Sequence, residues 1–134
     1  MSRRLTRDDR GAAAVEMALI MPVLLLLIFG MIDFGRMLNA QITLTQAARE
    51  GARAQASGLA PGPRVLEASQ GLKGVQVTAG PACAAGAAPT DSATVTTTYD
   101  FEFVTPVAAL AALFGSGING THQLTAKGVM PCLP

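Results

Sequence analysis

The stretch that decides the fold is residues 11–32, which read GAAAVEMALIMPVLLLLIFGMI. It carries a single charge, Glu16, in an otherwise uncharged and mostly apolar run. A helix over residues 12–32 would be about 31 Å long at 1.5 Å per residue, which matches a bilayer core of about 30 Å. A carboxylate inside such a helix costs roughly 2.5–3.5 kcal/mol to insert, so it usually has a partner and a function. The stretch therefore predicts a membrane-spanning helix with a functional glutamate.

The residues before Gly11 form a short leader, MSRRLTRDDR, which is polar and basic. A secretory signal also starts this way, but the apolar run is longer than a signal core and no A-x-A-like site follows it closely. The positive excess of the leader favours a cytoplasmic N-terminus. Two further interpretations are a plain single-pass anchor and a precursor that is cut after Gly11, leaving Ala12 as the new N-terminus.

Beyond the membrane the helix is expected to continue as an amphipathic stem over residues 36–57. Small and apolar residues recur there at three- and four-residue spacing and form one stripe, which allows a close approach to another helix or a sheet. Gly58 and the sequence Pro61-Gly62-Pro63 predict the end of the stem. The stripe consists of Met37, Ala40, Leu44, Ala47, Ala48 and Gly51.

Residues 58–134 are predicted to form a small head with a thin core, because they are rich in Ala, Gly and Thr and contain no Trp. The clearest strand is residues 93–103, where apolar and polar side chains alternate with a period of two, as in an antiparallel sheet with one wet face. Shorter elements are expected as a helix over residues 64–70 and as strands over residues 75–78 and 123–130. The fold class is therefore α+β, a long N-terminal helix followed by a small antiparallel-sheet head.

Residues 106–114 are apolar and are too short to span a bilayer. They predict either a helix packed on the sheet or an exposed patch close to the membrane.

The chain has two cysteines, Cys83 and Cys132. For a chain whose head is exported across a membrane they predict one disulfide between a loop and the C-terminal end, stabilising the head by about 2–4 kcal/mol. Free thiols are the alternative. A metal site is not expected, because His122 is the sole histidine and no zinc-ligand spacing exists.

Composition and motifs give little support to catalysis or nucleic-acid binding. The net charge is +1, and no basic stripe follows the leader. There is no nucleophile elbow, no HExxH and no phosphate-binding glycine motif. Asp100 and Glu102 share one face of a predicted strand, where solvated carboxylates are the norm. We expect a protein that is not an enzyme and that needs no cofactor.

Three patches together resemble a known family. They are GAAAVEMALIMPVL at residues 11–24, DFGR at residues 33–36 and AAREGAR at residues 47–53. The first is similar to the N-terminal helix of type IV pilin-like proteins, and all three resemble the TadE-like family of the tight-adherence (Flp-type) pilus system. Asp9-Arg10 stands where paired arginines would precede the glycine.

The resemblance implies a minor pilin or pseudopilin-like subunit that a prepilin peptidase cleaves after Gly11. Glu16, about one turn from the new amino group on Ala12, would pair with that amine or with the amine of a neighbouring subunit during assembly. The implied domains are a prepilin-type leader (1–11), a transmembrane helix (12–35), an amphipathic stem helix (36–57) and a small α+β extracytoplasmic head (58–134).

The implied partners are the prepilin peptidase, other pilin or pseudopilin subunits, the Tad assembly platform and the lipid bilayer, with no nucleic acid. The implied location is the inner membrane, crossed once, with a cytoplasmic N-terminus and a periplasmic or extracellular head, and the surface pilus beyond it. The function would be pilus assembly and surface adhesion. Two alternatives are an uncleaved single-pass scaffold of the pilus or secretion machinery and a type II secretion pseudopilin.

Overall fold

The computed structural model describes residues 5–84, 86–88, 90–113, 115 and 120–132. A long N-terminal helix is followed by a short helix and a small antiparallel sheet, which confirms the predicted α+β class. The elements in chain order are α1 (Leu5–Ala56), α2 (Pro61–Ala68), β1 (Gln76–Ala79), β2 (Ser92–Glu102), α3 (Val107–Leu113) and β3 (Thr121–Pro131).

Helix α1 is continuous over 52 residues and includes Pro22. Proline removes one intrahelical hydrogen bond, and membrane helices tolerate this loss. From Gly11 to Ala56 the helix is long and apolar enough to cross a membrane. The predicted boundary between a membrane span and a stem at residue 35 is not marked by a break in the helix, and it stays a prediction.

The C-terminal end of α1 is formed by Gly58, as the sequence predicted. Gly58 has φ +75°, a conformation that glycine adopts without steric cost. Its N–H donates to the carbonyl of Gln55 (3.0 Å), and the N–H of Leu59 donates to the carbonyl of Ala54 (2.9 Å). These two bonds form a Schellman motif, which satisfies carbonyl groups that the end of a helix leaves unpaired.

Helix α2 begins three residues earlier than the sequence predicted, at Pro61 instead of residue 64. Proline is accepted in the first turn of a helix, where its missing N–H would be unpaired in any case. The segment Pro61-Gly62-Pro63, expected only to end the stem, therefore also starts the next helix.

The sheet has three antiparallel strands in the order β1-β2-β3. Strands β2 and β3 pair along their full length, from Ser92 opposite Pro131 to Glu102 opposite Thr121. The predicted alternation along β2 is confirmed, because Ala93, Val95 and Thr97 are fully buried between residues that are less buried. The strands lie within about two residues of their predicted positions at each end.

The stem part of α1 and the sheet approach each other closely because the residues between them are small. A Cβ atom added to Gly128 of β3 would collide with the carbonyl oxygen of Ala48 and would lie 2.5 Å from its carbonyl carbon. A Cβ atom added to Gly51 would lie 2.5 Å from a methyl carbon of Val65 and 3.1 Å from one of Val95. The predicted stripe is confirmed as the buried face of α1, with Met37 half-buried at its start and with Ala40, Leu44, Ala47, Ala48 and Gly51 buried.

The chain divides into two compact units. One comprises Met1–Phe34 and Phe103–Ile118, and the other comprises Gly35–Glu102 and Asn119–Pro134. The second unit contains the stem part of α1, α2 and all three strands. The four domains expected from the sequence stay predictions.

We expect Gly128→Ala to lower the free energy of unfolding by about 1–3 kcal/mol, the usual cost of overpacking, because the new methyl group meets backbone atoms that cannot rotate away. The matched control is Gly120→Ala, since a Cβ atom there would meet nothing within 4 Å. Denaturant unfolding of the detergent-solubilised chain, followed by circular dichroism, measures both variants. Equal stability of the two variants would contradict the close approach at Gly128.

Candidate functional site

The residues expected to take part in processing lie near the start of α1. Gly11, Ala12 and Glu16 are exposed, and a Cβ atom on Gly11 would meet nothing within 4 Å. The bond between Gly11 and Ala12 is inside the helix, where glycine is about 0.8–1.0 kcal/mol less favourable than alanine. The helix is therefore weakened at this bond. The role of these residues in cleavage stays a prediction.

Glu16 lies four residues after Ala12, so the two residues share one face of α1. The side chains on either side of Glu16, Val15 and Met17, are apolar and exposed. A carboxylate on such a surface is costly in lipid unless a cation neutralises it. The arrangement can bind a cation that arrives from the end of this helix or from a second chain.

Asp33 is a buried carboxylate that the sequence analysis did not single out as a site. Its side chain is 1% exposed. It accepts hydrogen bonds from the backbone N–H of Val104 (3.4 Å), from the backbone N–H of Thr105 (3.2 Å) and from the hydroxyl of Thr105. Asp33 therefore fixes the chain immediately before α3.

Two features of the sequence could have indicated this role. Asp33 is the first charge after the apolar run, and Thr105-Pro106 is a polar start to an apolar segment. Nothing in local spacing connects them, because 71 residues separate Asp33 from Val104. The resemblance treated residues 33–36 as one patch and gave Asp33 no contact of its own.

Arg36 makes a contact with an aromatic ring in the second unit. Its guanidinium carbon lies 5.3 Å from the centroid of the Phe101 ring, a cation–π geometry. The same residues line an open cleft of ≈ 260 Å³. Its walls offer hydroxyl, amide and guanidinium groups, which can bind a polar group but form no acid–base pair. The lining residues are Arg36, Asn39, Ala40, Thr43, Gln70, Gly71, Leu72, Tyr99 and Phe101.

The loop after β1 is attached to α1 by Gln55. The buried amide nitrogen of Gln55 donates to the carbonyl groups of Gly80 (2.7 Å) and Pro81 (2.9 Å). Further along this loop, Cys83 is at disulfide distance from Cys132, which directly follows β3, and the two Cα atoms are 5.7 Å apart. This separation lies within the range of protein disulfides. A cross-link over 49 residues would contribute about 4 kcal/mol in the loop-entropy estimate.

The exposed carboxylates of β2 belong to the polar face of the sheet. Asp100 is exposed and accepts a hydrogen bond from the amide of Gln123 (3.2 Å), and Glu102 is exposed beside it on the strand. Over the residues that the structure describes, no group of three or more His, Cys, Asp or Glu side chains could hold a metal ion.

Residues 11–53 match the family model described as TadE-like protein. This segment is similar to TadE-like proteins. The match confirms the resemblance expected from the sequence, and it covers α1 from Gly11 almost to the end of the helix. No curated protein and no solved structure matches the chain significantly.

The match spans residues 11–53 of a 134-residue chain, about a third of its length. The TadE-like family is not a known family of enzymes. The segment covers most of the candidate membrane span, Gly11–Ala56. It also contains Asp33, Arg36 and the small-residue face on which the sheet packs.

We expect Asp33→Asn to release the chain before α3, because the neutral amide accepts hydrogen bonds more weakly than a carboxylate. Hydrogen bonds to charged groups contribute about 1.5–3 kcal/mol each, so losing one should speed local amide exchange by about tenfold or more. Hydrogen–deuterium exchange of a peptide covering residues 103–106 measures this effect. The control is Asp100→Asn, at an exposed carboxylate. Unchanged exchange in Asp33→Asn would show that Asp33 does not hold this segment.

Proposed function

We propose that the chain is a minor pilin or pseudopilin-like subunit of a Tad/Flp-type pilus. The observation that carries this proposal is the TadE-like match over residues 11–53, which begins at the glycine expected to precede the cleaved bond. In this proposal the protein is made as a precursor and crosses the inner membrane once through α1, with its N-terminus in the cytoplasm. It acts in pilus assembly and surface adhesion.

The proposed processing step is hydrolysis of the peptide bond between Gly11 and Ala12 by a prepilin peptidase. Water adds across the bond, so the leader leaves with a carboxylate on Gly11 and the mature chain keeps an ammonium group on Ala12. A peptidase needs the bond in an extended form, whereas α1 begins at Leu5. Helix ends fray readily, and the weak helix propensity of Gly11 favours local unwinding at this bond.

The exposed surface of α1 supports a role in assembly. None of the most apolar part of the candidate span is buried within the chain. Large exposed apolar surfaces are covered by lipid or by other proteins. In the proposal, lipid covers this surface first, and the helices of the Tad assembly platform and of other pilin subunits replace the lipid during assembly.

The negative charge of Glu16 would guide the replacement of lipid by protein helices. Cleavage places an ammonium group at the end of an apolar helix, and the carboxylate of Glu16 is the only charge in the following apolar run. Pairing the two groups offsets much of their desolvation in a low-dielectric bundle. An ammonium group from a neighbouring subunit could be bound in the same way, which would fix the relative height of two subunits.

The folded head favours a minor role over that of the shaft subunit. Similarity to the Tad system implies a very short shaft subunit, whereas this chain has a three-stranded sheet after its helix. A head of this kind suits a subunit that starts assembly or lies at the tip of the filament.

We expect the mature protein to have an intact mass that starts at Ala12, and we expect Gly11→Val to keep the full-length mass, because a branched side chain obstructs the scissile bond. Mass spectrometry of native membranes and of sheared surface filaments measures both. The matched control is Gly30→Val, at another glycine of α1 whose Cβ position is open. It should still be cleaved.

A full-length wild-type mass confined to the membrane would reject the pilin proposal. That result would favour an uncleaved single-pass scaffold.

We expect the cleaved form of Glu16→Gln to enter filaments poorly. Removing one partner of a buried ion pair costs roughly 3–5 kcal/mol, so the amount in sheared filaments should fall by more than about tenfold. Quantitative immunoblotting of sheared material against membrane material measures the ratio. Glu50→Gln, at an exposed carboxylate on the same helix, is the control. Equal incorporation of both variants into filaments would show that Glu16 has no role in assembly.

A further inference from the structure

The longest uncharged stretch after the candidate membrane span and stem is residues 103–126, with His122 counted as neutral, and its first part, residues 103–115, carries most of the apolar side chains. Within it, α3 reads VAALAAL and so contains only apolar residues. A short helix on the surface of a water-soluble head normally has one polar face. Helix α3 has no polar face, so the environment of its apolar side chains needs an explanation.

The division of the chain into two compact units gives the first part of that explanation. Residues Phe103–Ile118 form one compact unit with Met1–Phe34, which contains the apolar run of residues 12–32. Within this unit, Asp33 binds the N–H groups of Val104 and Thr105 and the hydroxyl of Thr105. Of the two expectations for residues 106–114, of which residue 114 lies outside the described residues, these hydrogen bonds favour the membrane-proximal patch.

The position of Asp33 sets the level of this segment relative to a bilayer. Asp33 directly follows residues 12–32, whose helical length of about 31 Å equals the thickness of a hydrocarbon core. Asp33 then lies at the boundary between acyl chains and headgroups, and so does the segment hydrogen-bonded to it. Val104 is 74% exposed there, and Ala109 and Ala112 are also exposed.

The hydrogen bonds to Asp33 suit a position at the boundary between acyl chains and headgroups. Backbone N–H groups in contact with lipid must be satisfied within the protein, because acyl chains offer no acceptor. Asp33 supplies that acceptor to Val104 and Thr105, and their donors in turn compensate its charge. Helix α3 has seven residues and is about 10 Å long, so it can lie in the interface but cannot cross the bilayer.

We propose that residues 103–113, named here the lipid foot, bind the outer boundary layer of the bilayer beside the end of the membrane span. The ligand is the acyl-chain and glycerol region of a phospholipid bilayer. This inference rests on the part of the proposed function in which α1 spans the membrane. It adds a second membrane contact from the distant part of the chain.

Single tryptophans test the lipid foot, because the chain contains none of its own. The full chain is reconstituted into phosphatidylcholine vesicles in which part of the lipid has brominated acyl chains, which quench nearby indoles. Val104→Trp and Ala112→Trp report on the foot. Ile28→Trp, in the candidate span, is the positive control, and Val129→Trp, 54% exposed on β3, is the water-exposed control.

We expect the two foot variants to emit at shorter wavelength than Val129→Trp and to lose most of their emission to bromines near the glycerol end of the acyl chain. Ile28→Trp should be quenched best by bromines deeper in the chain. Quenching of Ile28→Trp alone would overturn the lipid foot and leave the membrane span intact. Short-wavelength emission of the foot variants without bromine quenching would also overturn it, since the segment would then contact protein. No quenching at Ile28→Trp would reject the span itself, and with it the proposed function.

Discussion

At Gly128 the backbone of β3 meets the backbone of α1 with no side chain between them. Strand β2 is held against the same helix, because Val95 pairs with Gly128 in the sheet and the hydroxyl of Thr97 donates to the carbonyl of Leu44 (3.3 Å). The helix accepts this approach because its buried face consists mainly of alanine. Larger residues on that face would separate sheet and helix, and a head this small has few other contacts to replace those lost.

Much of the second unit could be predicted because its signals are local. The spacing of Ala40, Leu44 and Ala47 defines one face of a helix, and the alternation along β2 defines one face of a strand. Gly58 was expected to end the stem, because left-handed glycines commonly end helices. These patterns lie within one element, so they can be found without knowledge of the partner. The family-model match over residues 11–53 covers most of the same helix, independently of these patterns.

The contacts missed by sequence reasoning join residues that are far apart in the chain. Asp33 and Val104 are 71 residues apart, and Gln55 reaches a loop 25 residues away. No periodic pattern encodes such pairs. Local spacing also predicts a start of α2 that is three residues too late, because Pro61 is interpreted only as a helix breaker and not as part of a first turn. The sequence pattern drew attention to Gly11 and Glu16, but their roles in processing and assembly came from a family resemblance, and the structure gives their exposure without testing their chemistry.

The long separation between Asp33 and its hydrogen-bond donors has a consequence for biosynthesis. The ribosome adds about 5–20 residues per second, so Val104 and Thr105 follow Asp33 by roughly 4–14 seconds. In the proposed topology, the carboxylate would rely on water and lipid headgroups for solvation during that interval. Its final hydrogen bonds would form only after the intervening chain has been translocated, so this unit would be completed late in export. A stalled or truncated chain that ends before residue 104 would leave the unit unfinished.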